Sequence, residues 1–332
     1  TNARGRVLRV LERQDPVPGT DIVLSLDVAV QEAAWNMLGD RAGSIVAMDP
    51  ADGSVIAMVS KPAYDANAFV HGISTADYQA ILDSPGRPLF NRALAGGYEP
   101  GSTLKPFIGL AGIEMGVVGV DELIFSTGEF FLEGQARPFH DWKEGGHGWA
   151  EIRRALEESV NTYFYKVALD LGIDRIHFYL DQFGFGSRTG IDLPSESAGL
   201  LPSRDWKRGR YGEPWYPGET VISGIGQGFN VVTPLQLANA MTALVNGGKL
   251  MSPRLAYAIK KPGNERAERV TAPLKQQIPI NDQAAWDAVL DGMRRVVNGP
   301  AGTARDVALN AEYVIAGKTG TAQVFGLAAD ET

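Results

Sequence analysis

The chain has 332 residues, 44% of them hydrophobic, enough to bury a substantial core in one large or two ordinary domains and too many for intrinsic disorder. Lysine and arginine number 31 against 39 acidic residues, a net charge of −8, which disfavours nucleic acid, a partner that rewards a basic footprint. There is no cysteine, which removes disulfides, thiol nucleophiles and thiolate metal sites, and no run of about 18 apolar residues that would span a membrane.

Arg6 to Leu11 and Ile22 to Leu26 read as an extended pair around the turn-forming Asp15-Pro16-Val17-Pro18-Gly19. Asp27 can cap a helix to Leu38, in which Val30, Ala34 and Leu38 recur every four residues and Gly39 is the stop. Two short apolar runs, Ser44 to Met48 and Val55 to Val59, flank Asp49-Pro50-Ala51-Asp52-Gly53 and predict a buried β-hairpin. A helix is expected near Ser74 to Leu82, among loops that suggest no chemistry. Beyond it, a Gly/Pro-rich approach delivers Ser102 to an apolar segment whose Leu104, Phe107, Ile108, Ala111 and Met115 predict a buried helix ending at Gly116.

Ser102 and Lys105 are three residues apart, so on a helix starting at Ser102 the hydroxyl and the amine share a face within hydrogen-bond reach. A serine hydroxyl is a weak nucleophile until a base takes its proton, and a lysine is such a base only when desolvation or a second cation keeps it neutral. The same residues fit an ordinary capping serine beside an exposed lysine. Glu151 to Leu171 reads as two helices broken near Ser159 to Asn161, which puts Ser159-Val160-Asn161 on a connection facing a cleft, although Asn161 and Thr162 also fit plain caps. The Gly-rich stretch from Phe185 to Gly228 matches neither the phosphate-binding nor the dinucleotide fingerprint. Thr233-Pro234-Leu235-Gln236 opens a helix to Val245, Lys260 to Gln277 reads as a polar surface excursion, and Asp282 caps a helix to about Val297. Tyr313 to Ala316 then leads, as an extended strand, into Lys318-Thr319-Gly320-Thr321.

Ser-x-x-Lys, a Ser-x-Asn triplet and Lys-Thr-Gly, in that order, are the signature of penicillin-binding proteins and the related serine β-lactamases. The sequence resembles the transpeptidase domain of penicillin-binding proteins, and among them the monofunctional (class B) penicillin-binding protein 2 group of Gram-negative cell elongation. The resemblance runs along nearly the whole chain and includes Asp141-Trp142-Lys143, Gly190-Ile191-Asp192-Leu193, Trp215-Tyr216-Pro217-Gly218, Gly224-Ile225-Gly226-Gln227-Gly228 and Gln323-Val324-Phe325-Gly326. It implies an α+β fold with a central antiparallel sheet, flanking helices and an all-helical subdomain. Residues 1–26 would close a stalk and residues 27–332 would form the D,D-transpeptidase domain.

The resemblance also implies roles. Ser102 would be the nucleophile, Lys105 its base, Ser159 a proton relay toward the departing amine, Asn161 a holder of Lys105 and of the substrate amide, and Lys318 the source of potential around Ser159. Thr319, Gly320 and Thr321 would bind the substrate, the two threonines through its terminal carboxylate, and the backbone N–H groups of Ser102 and Thr321 would form the oxyanion hole. The implied substrates are peptidoglycan stem peptides ending in D-Ala-D-Ala, with β-lactams acylating the same serine and no cofactor. Implied partners are a membrane glycosyltransferase and elongation-complex proteins, at the periplasmic face of the inner membrane, with an N-terminal anchor that this sequence does not contain. A serine β-lactamase would need a glutamate to direct water, for which only Glu196 and Glu219 offer themselves; a D,D-carboxypeptidase or a β-lactam-sensing module would share the motifs. Some relatives carry zinc on two aspartates, a histidine and a cysteine; here Asp141 and His147 match, Ser126 and Val160 occupy the other two places, His140 is a weak substitute, and no metal is expected. In the family two strands and a closing helix follow the Lys-Thr-Gly strand in a five-stranded sheet, so the sequence is expected to be part of a longer domain.

Overall fold

The computed structural model describes residues 16–322. The expected strand Arg6 to Leu11 and the tail Gln323 to Gly326 lie outside these residues. The segment expected to pair with that strand, β1 (Asp21–Leu24), runs antiparallel to a strand far along the chain, Ala256–Lys260. Next comes α1 (Val28–Leu38), whose N-terminal amides at Ala29 and Val30 donate to Asp27 Oδ1. β2 (Gly43–Met48) and β3 (Val55–Lys61) form the expected hairpin, with Val55, Ala57 and Val59 turned into the core. α1 covers β3, and Gln31 of α1 clasps the backbone of Met58 from both sides, donating from Nε2 to its carbonyl (2.9 Å) and accepting its N–H at Oε1 (2.8 Å). A polar side chain thus satisfies a strand edge that would otherwise be unpaired.

After α2 (Thr75–Leu82), capped by Ser74, the chain reaches the buried helix α3 (Lys105–Glu114). Every residue from Lys105 to Ile113 is buried, and Phe107 sits edge-on between Phe183 and Phe185 at 4.9 and 5.2 Å. Such an all-round apolar helix belongs at the centre of a core. A lobe of short antiparallel pairs follows: β4 (Ile124–Ser126), β5 (Glu129–Phe130), β6 (Phe139–His140) and β7 (Gly148–Ala150), with β4 on β7 and β5 on β6.

α4 (Ile152–Glu157) and α5 (Asn161–Gln182) are separated by the break expected at Ser159, and α5 kinks again at Gly172. α6 (Arg204–Tyr211), α7 (Pro217–Ser223) and α8 (Pro234–Val245) follow, then β8 (Lys249–Met251), β9 (Ala256–Lys260), β10 (Glu268–Arg269) and β11 (Leu274–Gln277). β9 is the partner of β1 and also pairs with β10, while β11 pairs with β8, so the stretch read as a surface excursion contains two short strands. Their exposed, charged residues hide the period-2 signal that marks a half-buried strand. α9 (Gln283–Asn298), capped by Asp282, packs against α3 and α4. The main core gathers around α3, α4, α5 and α9, and a smaller one of Val55, Leu94, Ile191 and Leu235 lies under the hairpin.

Thr233 and Gln236 make a capping box at the start of α8, Thr233 Oγ1 accepting from Gln236 N (3.1 Å) and Gln236 Oε1 from Thr233 N (2.8 Å). Thr233→Ala is expected to cost about 1 kcal/mol, the usual worth of such a cap, read as a lower urea midpoint at unchanged slope; an unchanged midpoint would show that the box contributes nothing.

One expectation fails. Tyr313 to Thr321 forms no ladder among the described residues, and the sheet of β2 and β3 has two strands there. The segment is held instead by contacts with helices, Gly317 N donating to Met293 O of α9 at 3.0 Å. Extended backbone becomes a strand only with a hydrogen-bonded partner; Val46 and Met48 of β2 line a cavity together with Ala316 to Lys318, but no ladder joins the two segments.

Candidate active site

Ser102 sits on a tight turn, Gly101–Leu104, that runs directly into α3. The helix proper therefore starts at Lys105, three residues later than anticipated, and Pro106 falls in its first turn where no intrahelical N–H is lost. Gly101 has φ +54°, and a Cβ there would lie 2.6 Å from Thr321 O; one on Gly320 would lie 2.7 Å from Thr103 Cγ2. These two glycines let the Ser102 turn and the Lys-Thr-Gly segment approach closely, so that Ser102 and Thr321 line one cleft.

Lys105 is fully buried, and its ammonium lies 5.3 Å from the centre of the Phe164 ring. Its Nζ contacts Ser159 O (2.8 Å), Ser159 Oγ (3.2 Å) and Asn161 Oδ1 (2.7 Å). The hydrogen bond that the spacing allows between Ser102 and Lys105 is not formed, the lysine turning to Ser159 and Asn161 instead. Desolvation, then the charge of Lys318, push the Lys105 pKa well below its ordinary value, with Asp141 opposing. Lys318 Nζ donates to Ser159 Oγ at 2.8 Å and to Thr319 O at 3.0 Å, and burial lowers its pKa to about 7. Both amines thus meet at one hydroxyl. A neutral Lys105 has only two N–H groups, and of its three partners only Ser159 Oγ can donate, so that contact must then run from the hydroxyl to the amine lone pair.

Ser102, Ser159, Asn161, Thr319, Gly320 and Thr321 line one cleft of about 400 Å³, with Lys105 and Lys318 reaching it through Ser159. Four further lining residues, Trp142, Ile225, Gln227 and Thr303, were not singled out from the sequence. Three of them stand in stretches that carried the resemblance. Thr303, whose hydroxyl is 2.8 Å from that of Thr319, has no local signal at all. Ser159 itself adopts φ +54°, a left-handed conformation that a serine holds only when its surroundings impose it.

Those surroundings are Asp141, His147 and Glu158. His147 contacts Glu158 Oε2 through Nδ1 (2.8 Å) and Asp141 Oδ1 through Nε2 (3.3 Å), with its side chain fully buried. Asp141 Oδ2 accepts from Thr162 N (2.8 Å) and Thr162 Oγ1 (3.0 Å), and with its one hydrogen so used Thr162 Oγ1 accepts from Ser126 Oγ (2.6 Å). Burial alone would drive all three groups neutral, but their mutual hydrogen bonds outweigh it: both carboxyl groups are held below their usual range and the imidazole above its own. His140 is exposed and lies 3.7 Å from Glu129.

The zinc that some relatives hold does not fit these residues. Both nitrogens of His147 and both oxygens of Asp141 are already engaged, Val160 is fully buried and offers no ligand atom, and among the described residues no three acidic, histidine or cysteine side chains converge on a point where an ion could sit. The two glutamates considered for a hydrolytic water are also committed elsewhere. Glu196 accepts the Thr189 and Gly190 amides, and Glu219 pairs with Lys207 and accepts Tyr216 N.

Residues 43–332 match the family described as "Penicillin binding protein transpeptidase domain". The chain is 42% identical over 333 residues to peptidoglycan D,D-transpeptidase MrdA of Escherichia coli K12, covering 100% of this chain and 52% of that protein. It is 44% identical over 330 residues to the protein of that name from Haemophilus influenzae, covering 99% and 50%. The chain therefore spans about half the length of the curated relatives it matches. Among solved structures, Pseudomonas aeruginosa PBP2 in complex with WCK 5153 superposes with a TM-score of 0.87 at 46% identity, covering 94% of this chain and 67% of that one. A complex between PBP2 and MreC from Helicobacter pylori gives 0.83 at 34% identity, covering 97% and 58%. With three motifs meeting at one cleft, a matching fold and identities above 40% along the full sequence, the chain belongs to the penicillin-binding protein transpeptidase family.

Proposed function

We propose that the protein is a peptidoglycan D,D-transpeptidase that cross-links stem peptides through an acyl-serine intermediate and is acylated by β-lactams at the same residue. The observation that carries this reading is the meeting of Lys105 and Lys318 at Ser159 Oγ in the cleft that Ser102 lines. Ser102 Oγ attacks the carbonyl of the penultimate D-Ala of the donor stem; its proton leaves for Lys105, kept neutral by burial and by Lys318. The oxyanion that develops faces the backbone amides of Ser102 and Thr321, donors fixed before the reaction starts. Collapse releases the terminal D-Ala, whose amine takes a proton from Ser159, and Ser159 is reprotonated from Lys105 along the contact between them. Asn161 holds Lys105 and the substrate amide, while Thr319 and Thr321 bind the terminal carboxylate. An amine of a neighbouring stem then attacks the acyl carbon and gives up a proton to Lys105; the ester bond to Ser102 breaks, Ser102 Oγ takes that proton back, and the cross-linking amide leaves.

The commitment of Glu196 and Glu219 to backbone and lysine partners favours this reading over a β-lactamase that feeds water to the acyl-enzyme. By analogy with the relatives, the protein would act in cell elongation at the periplasmic face of the inner membrane, with residues 1–26 leading in from a stalk, and would work with a membrane glycosyltransferase and with a partner such as the MreC of the Helicobacter pylori complex. Incubation with lipid II and a partner polymerase is expected to yield cross-linked muropeptides that penicillin suppresses. Release of D-Ala without cross-links would make it a carboxypeptidase, and rapid nitrocefin turnover would make it a lactamase.

A further inference from the structure

The two sides of the Ser159–Asn161 turn are tied together by one histidine. Glu158, immediately before Ser159, bonds His147 through its side chain, and its backbone carbonyl accepts Trp142 Nε1 at 3.1 Å. Asp141 bonds the other nitrogen of His147 and accepts the amide of Thr162, immediately after Asn161. That second bond is a helix cap delivered from outside: the residue preceding α5 is Val160, whose side chain caps nothing. Arg154 Nε adds a second cation at 2.7 Å from Glu158 Oε1. Trp142 rests edge-on against His147, their ring centres 5.3 Å apart, and its exposed face forms part of the cleft wall.

We infer that Asp141, His147 and Glu158 form a metal-free clamp that holds Ser159 in its left-handed conformation and sets Trp142 as a wall of the cleft, so that His147 is a positioning residue. Both nitrogens of His147 face carboxylate oxygens, so one ring joins the two flanks of the turn. Removing it leaves Glu158 with Arg154 and leaves the buried Asp141 carboxylate with Thr162 alone, and a buried carboxylate that loses a partner is costly. The left-handed turn, which costs about 1–3 kcal/mol by itself, then loses the links on both flanks that impose it. Ser159 Oγ is the atom shared by Lys105 and Lys318, so a relaxed turn would misplace the proton route while leaving the carboxylate-binding segment 319–321 intact. The catalytic part of this inference rests on the proposed acyl transfer; the structural part does not.

The test uses the full chain. His147→Gln is expected to lower the first-order acylation step with fluorescent penicillin by about 10- to 100-fold, the scale of an ångström-sized misplacement, with a much smaller change in the pre-covalent binding constant, because Trp142 is one wall of the cleft and the segment 319–321 is untouched. Amide exchange at Ser159, Val160 and Thr162 should accelerate while α8 is unaffected. The parent should purify without zinc, and a chelator should change neither its melting nor its acylation. If His147→Gln fails to fold, Asp141→Asn, which keeps an acceptor for the Thr162 amide, is read by amide exchange at Ser159, Val160 and Thr162, because the charge it loses also acts on Lys105. Parental acylation with parental exchange, or stoichiometric zinc whose removal slows acylation, overturns the clamp. A parent chain that does not label at Ser102 defeats the proposed function instead, and exchange and metal content then decide the clamp alone.

Discussion

Ser102→Ala should take up no fluorescent penicillin, and its intact mass should not change after prolonged incubation with the drug. The expected loss is about 10⁶-fold in the acylation rate, because a nucleophile and its base act as a unit and nothing of the covalent route survives without the attacking atom. Folding should be almost unaffected, since Ser102 is half-buried at the cleft and its replacement removes no core volume. The variant should still bind penicillin reversibly, as the backbone amides and the threonines around it remain. Labelling that persists at another serine, located by peptide mapping, would move the nucleophile elsewhere.

The pH dependence of acylation should separate the two lysines. Lys105 must be neutral to accept a proton, and its pKa is depressed by desolvation first and by Lys318 second. The acidic limb of the profile thus rises as Lys105 loses its proton. Lys318, with a pKa lowered to about 7 by burial, supports Ser159 as a cation, so the alkaline limb should fall as pH passes through that region. Lys318→Ala removes a positive neighbour from Lys105, which favours the protonated amine and raises its pKa. The acidic limb of the variant should therefore move to higher pH, the alkaline limb should disappear, and acylation at pH 7 should drop by about 100-fold or more, as for other preorganised electrostatic groups. Because the two amines are coupled through one hydroxyl, the limbs report the pair and not a single site. An acidic limb that stays in place in Lys318→Ala would show that Lys318 does not tune Lys105.

Local chemistry was readable where one residue decides one event. Asp27, Ser74, Thr233 and Asp282 each announced a helix start because a short polar side chain can satisfy the first amides of a helix. The break at Ser159 showed in the sequence as a loss of helical period, although its left-handed backbone did not, since no glycine marks it. What escaped the sequence depends on partners far along the chain. β1 pairs with β9, more than 200 residues away, which no local pattern announces, while its expected neighbour Arg6 to Leu11 lies outside the described residues. Lys318 to Thr321 has strand composition and no described ladder, because composition records a preference and pairing needs a second chain segment. Ser102, Lys105, Ser159, Asn161 and Lys318 were singled out through their motifs, while Glu158 was not singled out at all. Its meeting with His147 is a tertiary fact.

The contact between the Ser102 turn and residues 320–321 also bears on how the protein comes to be made. The serine turn and the wall that faces it stand more than 200 residues apart, so the turn is synthesised well before the wall. Contacts of such large sequence separation form only after the intervening loop has been closed, which places them late in folding. A nascent chain would carry Ser102 on an ordered helix start with half of its cleft still unmade. Chemical competence would then arrive late in folding, and a partly folded molecule should be as inert to penicillin as one that lacks the serine.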